Sequence, residues 1–160
     1  MCFLLIQTPA NTIIATIIFI IAAITDGIDG YVARKYNKVT ILGKFIDPLA
    51  DKMLVVSALV CLVQLGSVSA VVAVIIIARE FIVTGFRIIA ISEGKVIDAN
   101  LFGKVKTISQ IIAIIAVIMS DILFANTGYI PDILLYISTV ITILSGAYYI
   151  FKNRKSISNY

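Results

Sequence analysis

Histidine is missing from the 160 residues, and cysteine occurs only twice. Cys2 and Cys61 stand singly among apolar neighbours with no C-x-x-C pair. Zinc centres and disulfide frameworks therefore have no ligands or partners to draw on, and the two thiols read as packing residues. Also missing are a linker, a low-complexity tract and an internal repeat, which leaves a single domain over residues 1–160. The N-terminal MCFLLIQTPANT has no basic stretch, and the apolar run after it leads into charged residues with no small-residue cleavage site. A signal peptide is not supported.

What the chain has in abundance is apolar surface. Hydrophobic residues make up 61% of it, with a mean hydropathy of +1.09, where a soluble domain holds about 45–50%. The expectation is an integral membrane protein, all-α, built as a polytopic transmembrane helix bundle of about five spans. The net charge of +4 comes from 13 basic residues gathered at the ends of the apolar runs. Membrane lipids and phosphates are then the expected partners, and nucleic acid is not.

The apolar run from Thr12 to Thr25 is only 14 residues long, short of the roughly 20 that cross a bilayer. It must continue to about Arg34. The following spans are expected near 44–65, with Pro48 in the first turn, then 70–91, 105–125 and 132–151. Gly43 is expected to let the chain turn or pack closely between the first two helices. Basic residues concentrate in 34–44, in 87–106 and at the C-terminus, and the positive-inside rule makes those regions cytoplasmic and Met1 external. Asp121 and Asp132 fall near the outer interface as solvated residues, and Tyr129, Tyr136, Tyr148 and Tyr149 as interface anchors.

Against this background the stretch DGIDGYVARKYNKVTILGKFIDPLAD, residues 26–51, stands out. Asp26 and Asp29 are spaced i, i+3, and Asp47 and Asp51 i, i+4, so on two helices each pair occupies one face. Charged groups at membrane depth cost roughly 2.5–3.5 kcal/mol each. Four carboxylates cannot all stay ionised together without a countercharge, which a divalent cation supplies. An all-oxygen set without histidine suits Mg²⁺ or Mn²⁺. Two such ions, held ~3.5–4 Å apart, would orient and neutralise a diphosphate. Gly30 and Ala33 open room beside the acidic residues, for a substrate or for a neighbouring helix.

A second group is basic. Arg79 and Arg87 lie eight residues apart in the third apolar run, about 12 Å along a helix and on nearby faces, and Lys104 and Lys106 enter from the same side. Converging cations suit an acceptor that carries its own phosphate. The competing readings are interfacial snorkelling for Arg87, Lys104 and Lys106, and for Arg79 an ion pair with Glu80 or with an aspartate of the cluster.

The run Asp26-Gly-Ile-Asp29-Gly30-Tyr-Val-Ala33-Arg34, then Gly43, Asp47 and Asp51 at fixed spacing, resembles at every position the signature of the CDP-alcohol phosphatidyltransferase family. KFIDPLADK, AREFIVTGFR and GKVKT are similar to the branch whose acceptor is glycerol 3-phosphate. The resemblance implies that Asp26, Asp29 and Asp47 bind the divalent metals. It also implies that Asp51 lies at the same site and acts as the base on the acceptor hydroxyl. Asp26, Asp29, Gly30, Ala33, Arg34, Gly43 and Asp47 would shape the site for the cytidine diphosphate head of CDP-diacylglycerol. Attack on its lipid-proximal phosphorus would release CMP and give phosphatidylglycerophosphate. The family also implies a homodimer in the cell (inner) membrane with its active site facing the cytoplasm.

Other branches take inositol phosphate, serine or phosphatidylglycerol as acceptor and share the motif. Family members usually have six spans, and this chain begins at what resembles the second, so the expectation is either a truncated N-terminus or a protein that works with five helices. An inactive binding subunit is the corresponding alternative. A cation transporter is disfavoured because the acidic cluster lies near one face and no inverted repeat accompanies it.

Overall fold

The computed structural model describes the backbone of residues 8–35, 41–92, 101–124 and 128–153, and the side chains of 8–25, 52–90, 102–124 and 128–153. Among these residues the regular structure is all helical. Helix α1 spans Pro9–Lys35, α2 Ile41–Gln64, α3 Ala70–Ser92, α4 Leu101–Ile118, the single turn α5 Ser120–Leu123, and α6 Tyr129–Asn153.

Each boundary has a local cause. Thr8 precedes α1, and its Oγ1 accepts from the Asn11 N–H at 3.4 Å. Pro9 fills the first helical position, where a missing N–H costs nothing. Helix α2 ends in a Schellman motif. Gly66, at φ +74°, donates to the Val63 carbonyl at 3.0 Å, and Ser67 donates to the Leu62 carbonyl at 3.0 Å. A left-handed residue is needed there, which is why it is glycine. Helix α6 opens with Pro131 in its first turn and Asp132 beside it. The proline is harmless at that position, and the acidic side chain suits the positive end of the helix.

Several boundaries differ from those expected, α6 among them, which starts at Tyr129 and not at 132. Helix α2 starts at Ile41, three residues earlier than expected. Pro48 is therefore its eighth residue instead of lying in the first turn, and its ring removes the bond to the carbonyl four residues back. The expected helix over 105–125 begins at Leu101 and stops at Ile118, where Met119 at φ −89°, ψ 9° separates it from α5. Ser120 and Asp121 start a new turn there, with Leu123 and Phe124 closing onto the Met119 and Ser120 carbonyls.

The apolar core joins Ala15 and Phe19 of α1, Ala58, Leu59 and Leu62 of α2, Val72, Ala73 and Ile76 of α3, Ala113, Ile114 and Val117 of α4, and Leu135 of α6. Phe19, Leu59, Ile76 and Ile114 are essentially inaccessible. The outside is equally apolar. Ile17, Ile21 and Ile24 on α1, Val71 and Val74 on α3, Ile108 and Ile112 on α4, and Ile137 and Leu144 on α6 are all exposed. That much outward aliphatic surface exceeds what a soluble monomer shows and fits lipid as the solvent. Hydroxyls obey the same constraint, since Thr16, Thr25, Ser57 and Thr139 each donate to the carbonyl four residues back at 2.6–2.8 Å. This satisfies groups that hydrocarbon would leave unpaired.

Helix α6 packs most extensively against α4 and next against α3. Its inward stripe is small and polar, consisting of Ser138, Thr139, Thr142, Ser145 and Gly146, the composition that lets helices approach closely in membranes. Among the described residues, α6 is the helix both long and apolar enough to cross a bilayer, at 25 residues with a mean hydropathy of 1.8 over an 18-residue stretch. Pro9–Thr25 and Lys52–Gln64 are shorter apolar segments.

Candidate functional site

The acidic motif occupies α1 and α2, which pack on each other and are joined through residues 36–40. Its register follows from the helix ends. Asp29 lies six residues before Lys35 (35 − 29), and Asp47 six residues after Ile41 (47 − 41). Asp26 lies nine residues before Lys35, and Asp51 ten after Ile41. At 1.5 Å per residue, both helices carry their acids at about 9 Å and about 14–15 Å from the connection. Gly30, Ala33 and Arg34 occupy the last two turns of α1, and Gly43 the first turn of α2. The side chains of Asp26, Asp29, Gly30, Ala33, Arg34, Gly43, Asp47 and Asp51 lie outside the described residues. Among the described residues, no group of three metal-ligating side chains gathers.

The basic residues divide into two sets. Arg87 is exposed near the end of α3, its guanidinium 6.0 Å from the centre of the Tyr149 ring. Phe86 meets the same ring edge-on at 6.2 Å. Tyr149 is buried. It is an interior platform instead of the interface anchor expected, while Tyr148 is exposed beside Phe102 and Lys152. Lys104 is exposed on the first turns of α4. The end of α3, the start of α4 and the end of α6 thus meet at one end of the bundle. The tight turn at Gly66 and the pairing of Lys52 with Glu80 make α2 antiparallel to α3, so the start of α2, and with it the motif end of the α1–α2 hairpin, lies by the end of α3.

Arg79 and Lys106 are different in kind. Both reach Glu80, which is only 2% exposed near the middle of α3. Lys106 donates to Glu80 Oε1. Arg79 Nη1 lies 3.4 Å from the same oxygen, and Lys52 Nζ lies 3.9 Å from Oε2. Snorkelling therefore does not describe Lys106, whose side chain is buried. Arg79 also leaves its own helix, donating from Nε to the Thr142 carbonyl at 3.1 Å and from Nη2 to Ser145 Oγ at 2.9 Å. Of the sequence-level readings for Arg79, the pair with Glu80 is the one present among the described residues. One carboxylate thereby joins α2, α3, α4 and, through Arg79, α6. Breaking such a buried pair by removing one partner costs about 3–5 kcal/mol.

Sequence reasoning did not single out Lys52, the hub role of Glu80, or Gly146. Gly146 lies where a Cβ would stand 3.0 Å from both Cγ and Nε of Arg79. The available signals were an Arg-Glu doublet inside an apolar run, a lysine directly after the last motif aspartate, and a small residue in the polar stripe of α6. Asp121 and Asp132 are exposed, as expected of solvated residues.

Over residues 1–144 the sequence matches the family described as CDP-alcohol phosphatidyltransferase. It is similar to the CDP-diacylglycerol–glycerol-3-phosphate 3-phosphatidyltransferase of Bacillus subtilis (strain 168), with 43% identity over 150 residues, covering 93% of this chain and 78% of that protein. The identically named protein of Rickettsia bellii (strain RML369-C) is 34% identical over 148 residues, covering 90% and 81%. That of Haemophilus influenzae (strain ATCC 51907 / DSM 11121 / KW20 / Rd) is 37% identical over 148 residues, covering 88% and 77%.

Proposed function

Because the chain belongs to the CDP-alcohol phosphatidyltransferase family, we propose that it transfers a phosphatidyl group from CDP-diacylglycerol to glycerol 3-phosphate, yielding phosphatidylglycerophosphate and CMP. The observation that carries this reading is the register of the motif hairpin. It sets two pairs of carboxylates at matching depths on adjacent helices, beside an end of the bundle where Arg87 and Lys104 are exposed. The acceptor follows the names of the relatives and the cationic character of that end.

The donor set fits a hard divalent cation, with four carboxylates on facing helices and no nitrogen or sulfur ligand nearby in sequence. Asp26, Asp29, Asp47 and Asp51 are the residues that would hold two Mg²⁺ or Mn²⁺ ions. When bound, those ions supply charge neutralisation for the diphosphate and for the departing CMP. Asp51 takes the proton from the acceptor hydroxyl. The acceptor oxygen forms its bond to the lipid-proximal phosphorus as the bond from that phosphorus to the CMP oxygen breaks. Gly30, Ala33, Arg34 and Gly43 shape the groove for the cytidine diphosphate. Arg87 and Lys104 receive the acceptor phosphate, with Arg79 and Lys106 adding positive charge from behind.

In this reading the chain is one domain with about five spans in the cell membrane and its site faces the cytoplasm. It works as a homodimer. The test uses membranes containing the chain, CDP-diacylglycerol, Mg²⁺ and a panel of acceptors. CMP release with glycerol 3-phosphate is expected. Release with inositol phosphate, serine or phosphatidylglycerol but not with glycerol 3-phosphate would refute the acceptor.

A further inference from the structure

A buried ion pair adds little to stability, because the desolvation of both groups offsets their attraction, and an apolar replacement packs as well or better. Stability alone also calls for one cation per carboxylate. Glu80 faces three, from three helices, and is itself 2% exposed. Two of those cations are close in sequence to residues that have places in the reading above. Lys52 directly follows Asp51 in α2, so the position of Lys52 governs the helix turn that carries the base. Lys106 lies two residues beyond Lys104 in α4. The third, Arg79, clasps α6 through the Thr142 carbonyl and Ser145 Oγ. That clasp sets the rotation of α3 from which Glu80, the next residue, projects.

We propose that Glu80 is a positioning residue for the acceptor half of the reaction. By holding Lys52 and Lys106 on one buried carboxylate, it fixes the spacing between the turn carrying Asp51 and the basic residues on α4. The inference rests on the proposed phosphatidyl transfer. It requires no contact between Glu80 and either substrate. When its charge is lost, the α2 turn and the α4 turn are free to separate. The acceptor, which must span the base and the basic residues, then binds less well. The donor is held by the motif hairpin alone and is little affected.

The experiment measures steady-state kinetics of the full chain in mixed micelles, varying glycerol 3-phosphate and CDP-diacylglycerol separately. Glu80→Gln is expected to raise the acceptor KM by roughly tenfold or more, the scale of one lost hydrogen bond to a charged group, while the donor KM stays within about twofold. Glu80→Asp keeps the charge on a shorter arm and should recover part of the loss. In a Lys106→Met background, Glu80→Gln should add less than about threefold, because the two residues act as a unit. Equal losses on both substrates, an unchanged acceptor KM, or full multiplication of the two effects would each overturn the proposal. If Glu80→Gln yields no folded protein, Glu80→Asp alone and with Lys106→Met reads the same split against the same criteria. A wild-type chain that releases CMP only with a different alcohol refutes the acceptor reading instead, and the split at Glu80 is then read with that alcohol.

Discussion

Replacing Gly146 by alanine tests the geometry of the Arg79 clasp with a single added carbon. The new Cβ would stand 3.0 Å from Arg79 Cγ, 3.0 Å from Nε and 3.6 Å from Cδ. Cγ is close to the backbone of α3 and cannot swing far. Nε and Nη2 are engaged with the Thr142 carbonyl and Ser145 Oγ. Two responses are open to the protein. Arg79 withdraws and forfeits hydrogen bonds worth about 1.5–3 kcal/mol each, or α3 and α6 separate by a few tenths of an ångström at an overpacking cost of about 1–3 kcal/mol. The second is cheaper and prevails. Alanine returns roughly 0.5–1 kcal/mol over glycine inside a helix. The net loss is then about 1 kcal/mol, a fall of roughly 2–4 °C in the unfolding midpoint for a chain of this size. Circular dichroism at 222 nm in detergent follows it. In an Arg79→Ala background the obstructing atoms are gone, and the same change should become neutral or stabilising. A Gly146→Ala chain as stable as wild type, or an equal loss in both backgrounds, would refute the reasoning.

Three further outcomes test the site and its frame. Asp51→Asn should abolish CMP release, whereas Arg87→Ala should mainly raise the glycerol 3-phosphate KM; equal and mild effects from both would argue against their assigned roles. Chelation with EDTA should stop turnover, and added Mg²⁺ or Mn²⁺ should restore it where Zn²⁺ does not, because the proposed ligands are all oxygen; activity that survives exhaustive chelation contradicts the metal reading. Gly66→Ala should destabilise by about 1–2 kcal/mol through the left-handed backbone alone, since no atom lies within 4 Å of its added Cβ; an unchanged midpoint would show that the Schellman turn relaxes freely.

The helices were readable because their apolar runs end at glycine, proline and charge. The motif was readable because its spacing is local, with every specified residue within 26 positions of the others. Where sequence and structure differ, forces outside the local pattern decide. Proline suits a first turn, yet Ile41, Leu42 and Gly43 extend the helix ahead of Pro48. Tyr149 read as an anchor by its position near a run end, but Phe86 and Arg87 of a different helix enclose it. Lys106 looked like Lys104 in composition and spacing. Two residues of helical rotation turn one onto Glu80 and leave the other exposed, and no pattern within α4 reveals that a carboxylate waits on α3.

That difference between neighbouring lysines explains how an apolar bundle carries so many cations. A charge placed deep must bring its own counter-ion, and the depth at which each basic residue sits decides its task. Arg87 is seven residues beyond Glu80 on α3, about 10 Å nearer the helix end, and remains exposed over an aromatic face. There it can exchange water for a ligand at little desolvation cost. Arg79, Lys52 and Lys106 lie deeper, and the protein supplies their partner in Glu80. In the proposed reaction an acceptor phosphate would meet Arg87 and Lys104, which are exposed, backed by the cations fixed on Glu80. The chain achieves this with one glutamate set among apolar residues, because α2, α4 and α6 all converge on the same stretch of α3.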